Sequence, residues 1–174
     1  MGGTGPSRPE PMNTPTPWWK GARGEWYVVA QGALLGLLAV GPRSTGALPA
    51  WPAGLVGPAT WAGRALLVLG AVLALAAVLR LGRNLTPLPH PKDDGVLVDS
   101  GPYAWVRHPI YSGLILGGFG WALLQQGWLT LLWAVLLLVF FDIKSRREER
   151  WLLARFPAYA DYRRRVRKLL PFIY

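Results

Sequence analysis

Residues 109–141 read PIYSGLILGGFGWALLQQGWLTLLWAVLLLVFF, 33 positions without an Asp, Glu, Lys or Arg. As one helix the stretch would run about 50 Å, well beyond a bilayer core of about 30 Å. Gln125-Gln126-Gly127 interrupts it midway. The expected structure is therefore a helical hairpin over 109–125 and 127–142, with a tight turn near the far interface. Each arm is at the short end of what spans a membrane.

Two earlier segments have the same character. Trp26 to Gly41 is apolar apart from Gln31, and Ala59 to Leu79 is apolar apart from Arg64. The Gly/Pro/Ala-rich sequence between them, 42–58, is a poor helix and predicts a short external loop. Four apolar segments in 174 residues favour membrane spans, at about 25–41, 59–81, 109–125 and 127–142, over the buried core helices of a soluble protein.

Composition agrees. Hydrophobic residues make up 52% of the chain and charged residues only 16%, against the usual quarter. That excludes a disordered chain and an ordinary soluble basic protein. The absence of Cys removes disulfides, thiolate metal sites and Cys nucleophiles. Residues 1–20, rich in Pro, Gly, Ser and Thr, are expected to be disordered, without the pattern of a secretory signal peptide.

Charge orients the spans. The net charge is +10, and the segment 142–174 holds ten Lys and Arg against four Asp and Glu, which leaves +6 there. The loop between spans two and three carries Arg83, Lys92 and Arg107, flanked by Arg80, whereas the loop 42–58 carries only Arg43 and the turn 125–127 none. Lys and Arg accumulate on the cytoplasmic side, which places both termini and the 80–108 loop there. Arg64, about a turn inside span two, is expected to snorkel outward. The expected fold is an all-α integral membrane protein of about four transmembrane helices, with a cytoplasmic C-terminal helical segment at 143–174. Gly32-x-x-x-Gly36 and Gly113-x-x-x-Gly117 predict close helix packing.

Polar chemistry concentrates on that side. The first stretch runs from Val96-Leu97-Val98 through Asp99-Ser100-Gly101-Pro102-Tyr103 to Arg107-His108-Pro109-Ile110-Tyr111. Pro109 suits the first turn of span three, so Arg107 and His108 sit at a helix N-terminus on the membrane surface. An interfacial anchor of Arg, Tyr and Trp accounts for these residues equally well. The second stretch continues helically from Asp142 to about Arg155, with Lys144, Glu148, Trp151 and Arg155 on one face. A solvated helix with local ion pairs accounts for it equally well. Phe156-Pro157-Ala158-Tyr159 breaks that helix, and a basic run to Lys168 follows, suited to anionic lipid headgroups. Together the two stretches suit a cofactor that is cationic in one place and anionic in another. Two His are a weak metal signal, and no P-loop or dinucleotide fingerprint is present.

In this order and spacing, Val96 to Tyr103, Arg107 to Tyr111, Glu148-Glu149 and Tyr159-x-x-Tyr162…Leu170-Pro171 resemble the isoprenylcysteine carboxyl methyltransferase family. That family belongs to a wider group of membrane methyltransferases that includes phospholipid N-methyltransferases. The resemblance covers about residues 80–172, within a domain expected to span 21–174. It implies S-adenosylmethionine as cofactor, with contacts from Val96, Leu97, Val98, Tyr103, His108, Pro109, Ile110, Tyr111 and Glu148. It implies reaction roles for Arg107, His108 and Glu148, an acceptor-side place for Lys144 and Glu149, and no metal. Lys144 stands where eukaryotic members have an Arg near the substrate carboxylate. The family's Phe-Gly-Glu-Glu-Tyr stretch is one residue shorter here, and four spans are fewer than the eukaryotic members have.

Methyl transfer from a sulfonium is an in-line displacement, in which alignment and exclusion of water supply much of the rate. The expectation is that Arg107 and the span-three N-terminus hold the cofactor carboxylate, Tyr rings lie against the sulfonium or adenine, and Glu148 accepts from the amine or ribose. The acceptor is a small lipophilic molecule or lipid reached from the bilayer, with no nucleic acid involved. A carboxylate acceptor arrives ionised, whereas an amine must first lose a proton to Glu148, Glu149 or His108. The contrasting reading is a non-catalytic membrane scaffold of the same fold. The small size suggests a prokaryotic inner membrane.

Overall fold

The structure, a computed structural model, describes residues 24–90, 94–170 and 174. The expectation for residues 1–20 lies outside the described residues. Five helices follow one another: α1 (Glu25–Val40), α2 (Ala53–Leu81), α3 (Pro109–Gln125), α4 (Trp128–Arg155) and α5 (Tyr159–Arg165). Single 3-10 turns at Gly82–Asn84 and Gly101–Ala104 lie between α2 and α3. Among the described residues there is no strand, only an isolated parallel bridge between Val106 and Arg167.

The charge-free stretch folds as α3, a two-residue turn and the first half of α4. Gln126 takes a left-handed backbone conformation (φ 50°) that ends α3, and Gly127 caps α4. The N–H of Leu129 donates to the Arg43 carbonyl at 3.0 Å, and Trp128 Nε1 donates to the Pro49 carbonyl at 2.8 Å. These bonds tie the turn to the loop after α1.

α2 departs from expectation. It begins at Ala53 rather than near 59, so the last six residues of the expected loop are helical. Pro52 caps the helix, and Pro58, its sixth residue, removes the N–H that would donate to the Gly54 carbonyl while the helix continues to Leu81. Arg64 is exposed, its guanidinium 5.1 Å from the Trp61 ring.

The α2–α3 seam is built on glycines, and Gly113 of the expected pairs is one of them. A Cβ on Gly70 would lie 2.5 Å from the Gly113 carbonyl oxygen, and one on Gly113 would lie 2.6 Å from that of Gly70. Gly63 and Gly120 repeat the arrangement two turns away, at 2.8 and 2.7 Å. The repeat is seven residues, so the backbones touch at alternate turns. Gly32 and Gly36 would each present a Cβ to open space, which corrects the packing expected of that pair, whereas a Gly70 Cβ would meet the backbone of both Gly113 and Gly117, although Gly117 itself has room for a Cβ.

On the other side of α3, a core of Leu38, Ile115, Ala134, Leu137 and Phe141 joins α1, α3 and α4. The apolar residues left over point outward. Trp61, Val68, Val72, Leu75 and Leu79 of α2 are all more than half exposed. α2 with its 3-10 extension and α4 are long and apolar enough to cross a membrane, with mean hydropathies of 2.4 and 1.8. Small residues inside and bulky ones outside match a helix bundle whose surroundings are lipid.

Candidate active site

The site lies where α3 begins. Gly101, with φ 64°, turns the chain, and Pro102 and Tyr103 lead it to His108, the residue before Pro109. The C-terminal segment then holds this approach in place. The N–H groups of Arg107 and His108 donate to the carbonyls of Arg167 and Lys168 at 2.8 and 3.1 Å. Ser112 Oγ donates to the Leu169 carbonyl at 2.6 Å, and the Tyr162 hydroxyl to the Tyr103 carbonyl at 2.6 Å.

These contacts bound a cavity of about 350 Å³. Val96, Leu97, Val98, Tyr103, Arg107, His108, Ile110, Tyr111, Lys144 and Glu148 all line it. Two expected residues do not. Pro109 is buried in the first turn of α3, and Glu149 faces the other side of His108. Helix geometry separates Glu148 from Glu149, because successive residues on a helix point about 100° apart.

His108 sits between the two carboxylates. Its Nε2 lies 3.2 Å from Glu149 Oε1, and its Nδ1 lies 3.7 Å from Glu148 Oε2. A carboxylate accepts, so the bond to Glu149 assigns a proton to Nε2. The imidazole stacks on Tyr111 at 5.4 Å, and Tyr111 stacks on Phe141 at 4.5 Å. The Tyr111 hydroxyl donates to Glu148 Oε2 at 2.8 Å. Glu148 is therefore aimed, with its second oxygen outside that bond.

Arg107 is more committed than its expected role implied. Nε donates to Glu149 at 2.8 Å, while Nη1 donates to the carbonyls of Arg163 and Val166. Three of its five N–H donors therefore hold the site together. Burial raises the Glu149 carboxyl, but the bonds and charges of His108 and Arg107 more than reverse this and hold it at about 2. Lys144, almost wholly buried, donates from Nζ to Gln31 Oε1 at 2.6 Å and to the Pro87 carbonyl at 3.0 Å. Its ammonium lies 5.2 Å from the Tyr111 ring centre.

Several lining residues escaped the sequence reading. Gln31 is one, although its position as the lone polar residue of the first apolar run was a signal. Asn84, whose Oδ1 accepts the Val96 N–H at 3.0 Å, is another. Tyr159 and Tyr162 stood in the quoted motif without a role, and both line the cavity. The Tyr159 hydroxyl is buried and has no hydrogen-bond partner among the described residues. Burial, reinforced by the Glu149 charge, pushes its phenol far above the usual range, so it stays a donor.

The chain belongs to the family described as phospholipid methyltransferase, whose family model matches residues 58–158. It is similar to curated methyltransferases and to a curated metal-resistance protein. It is 33% identical to the protein-S-isoprenylcysteine O-methyltransferase of Schizosaccharomyces pombe over 62% of this chain and 47% of that one. It is 34% identical to the enzyme of the same name from Mus musculus, over 66% and 43%. The cobalt-zinc-cadmium resistance protein CzcN of Cupriavidus metallidurans is 33% identical over 64% and 52%. The chain thus spans about half the length of the curated relatives it matches. Among solved structures, the eukaryotic intramembrane Ras methyltransferase, an isoprenylcysteine carboxyl methyltransferase, shares the fold. The TM-score is 0.60 at 24% identity, covering 93% of this chain and 55% of that one.

Proposed function

We infer that this chain is an integral membrane methyltransferase that uses S-adenosylmethionine and resembles isoprenylcysteine carboxyl O-methyltransferases. Its acceptor is a small lipophilic molecule carrying a carboxylate. The observation that carries the reading is the meeting of His108 and Glu148, 40 positions apart in sequence, in one cavity at the head of α3. Four spans, with the cavity and both termini on the cytoplasmic side, fit the concentration of Lys and Arg around it.

The residues present suit this cofactor. The cavity volume falls within the usual range for small-molecule sites, about 300–1,000 Å³. Glu148 offers an acceptor to an ammonium or ribose hydroxyl, and Tyr103 offers an aromatic ring to a cation. Tyr159 lines the cavity, and its buried hydroxyl is a donor that the described residues leave unsatisfied, which suits a ligand acceptor that reaches it. When bound, the sulfonium supplies an electrophilic methyl group. The chain's own part is to orient and to exclude water. Leu81, Leu85, Leu88, Leu114 and Leu152 give the cavity an apolar wall. Lys144 places a buried positive charge on that wall, which favours an anionic acceptor over an amine.

Calorimetry with S-adenosylmethionine on detergent-purified protein tests the cofactor. A saturable event that weakens in His108→Ala and Glu148→Ala is expected, and no binding would leave a non-catalytic scaffold. Labelling with methyl-radioactive cofactor tests the acceptor. A methyl ester releases methanol in mild base, and a base-stable product would instead indicate transfer to an amine, as on a phospholipid.

A further inference from the structure

A second cavity, also of about 350 Å³, lies behind the first, and Arg107 forms part of the wall between them. Its lining is strongly cationic: Arg107, Arg146, Arg163, Arg164, Arg167 and Lys168, with Glu149 as the one carboxylate side chain and Tyr174 beside them. The nearby acids do not balance these charges. Arg146 and Lys168 share Asp142, Arg107 and Arg163 share Glu149, and Arg164 pairs with Asp161. Arg167 has no carboxylate partner among the described residues. Six cationic side chains therefore stand against three side-chain carboxylates among the described residues.

The cavity also sits at a boundary. Leu132, Leu136, Val139 and Ile143 form an exposed apolar stripe along α4, at spacings of four, three and four. The next position on that face is Arg146, whose side chain is 65% exposed at the cavity rim. Apolar surface thus gives way to clustered guanidinium groups within one turn. A molecule that fits carries an alkyl chain joined to a compact anion.

We propose that this cavity binds the phosphate of an anionic phospholipid, with an acyl chain lying along the Leu132–Ile143 stripe. Guanidinium groups suit phosphate because their N–H donors match its oxygens in pairs, and several of them here project from one short segment. The inference rests on the reading of this chain as a membrane protein and is independent of methyl transfer.

The test uses the full chain in a neutral detergent, with the thermal midpoint read by tryptophan fluorescence. Short-chain phosphatidylglycerol is titrated against short-chain phosphatidylcholine and against inorganic phosphate. A saturable rise in midpoint is expected with phosphatidylglycerol, little with phosphatidylcholine, and one with inorganic phosphate only at far higher concentration. Arg146→Gln and Arg167→Gln should each weaken the phosphatidylglycerol response by about tenfold, the loss of one charge-assisted contact. Arg150→Gln and Arg165→Gln remove the same charge from exposed positions outside the cavity and should leave it unchanged. An equal loss in all four variants would mean diffuse attraction and overturn the site. Equal potency of inorganic phosphate and phosphatidylglycerol would overturn the lipid assignment. Recovery of the expressed protein in the aqueous fraction without detergent would instead overturn the membrane reading itself.

Discussion

Glu148 and Glu149 are adjacent in sequence yet face opposite sides of one imidazole, with Glu148 lining the first cavity and Glu149 the second. Only Glu148 is placed to touch a ligand in the first cavity. Glu149 holds His108 and Arg107 where they are.

The Glu149 carboxylate therefore contributes stability with a defined pH dependence. Its folded value of about 2 lies below the ordinary 4.5. Its contribution is complete above about pH 4.5 and is lost as pH falls toward 2. At neutral pH, Glu149→Gln should cost about 3 kcal/mol, with the thermal midpoint falling accordingly. Scans at pH 7, 5 and 3 check this, and the gap between wild type and variant should narrow between the last two. A gap that stays constant to pH 3 would contradict the pairing.

The two tyrosines of the C-terminal segment should behave in opposite ways. Tyr162→Phe loses the bond to the Tyr103 carbonyl and should cost about 1–2 kcal/mol of stability. Tyr159→Phe breaks no bond among the described residues and should leave stability intact. It should weaken S-adenosylmethionine binding about tenfold, the usual cost of one ligand hydrogen bond. Paired melting and calorimetric measurements separate the two effects. Unchanged binding in Tyr159→Phe would show that the hydroxyl meets no ligand.

Lys144 tests the acceptor. Lys144→Met should raise the acceptor KM by about tenfold or more while the affinity for S-adenosylmethionine holds, and Lys144→Arg should recover much of the loss. Steady-state kinetics with a carboxylate acceptor and its amide analogue reads this directly. The amide should be insensitive to the substitution.

The glycine seam makes a prediction without chemistry. Gly113→Ala forces a methyl group against the Gly70 carbonyl and the Ala74 backbone and should destabilise by about 1–3 kcal/mol. Gly117→Ala points into open space and should be neutral or gain about 0.5–1 kcal/mol from lost chain entropy. Thermal midpoints of the two variants in detergent distinguish a seven-residue seam from a four-residue one.

The helices were legible because missing charge is a one-dimensional signal. The run without Asp, Glu, Lys or Arg marks α3 and the start of α4, and Gln125-Gln126-Gly127 marks the break between them. The start of α2 was not legible. Helix propensity alone rates Gly54, Gly57 and Pro58 poorly, while apolar surroundings favour satisfying their backbone within a helix. The cavity was legible as far as its motif ran, from Val96 to Tyr111 and at Lys144 and Glu148. Gln31 was not, because the contact between α1 and Lys144 crosses 113 positions and leaves no local pattern. The division between Glu148 and Glu149 is a matter of helix rotation, and it shows only once His108 is placed between them.

The bonds from Arg107, His108 and Ser112 to residues 167–169 carry a consequence for synthesis. When α4 has just left the ribosome, the four long helices of the described residues have been made, but one wall of the first cavity has not. Until the Tyr159–Leu169 stretch folds back, an emerging chain holds an open trough and captures nothing. That wall is completed only when the Tyr159–Leu169 stretch folds back, so a closed pocket reports that this fold-back has taken place.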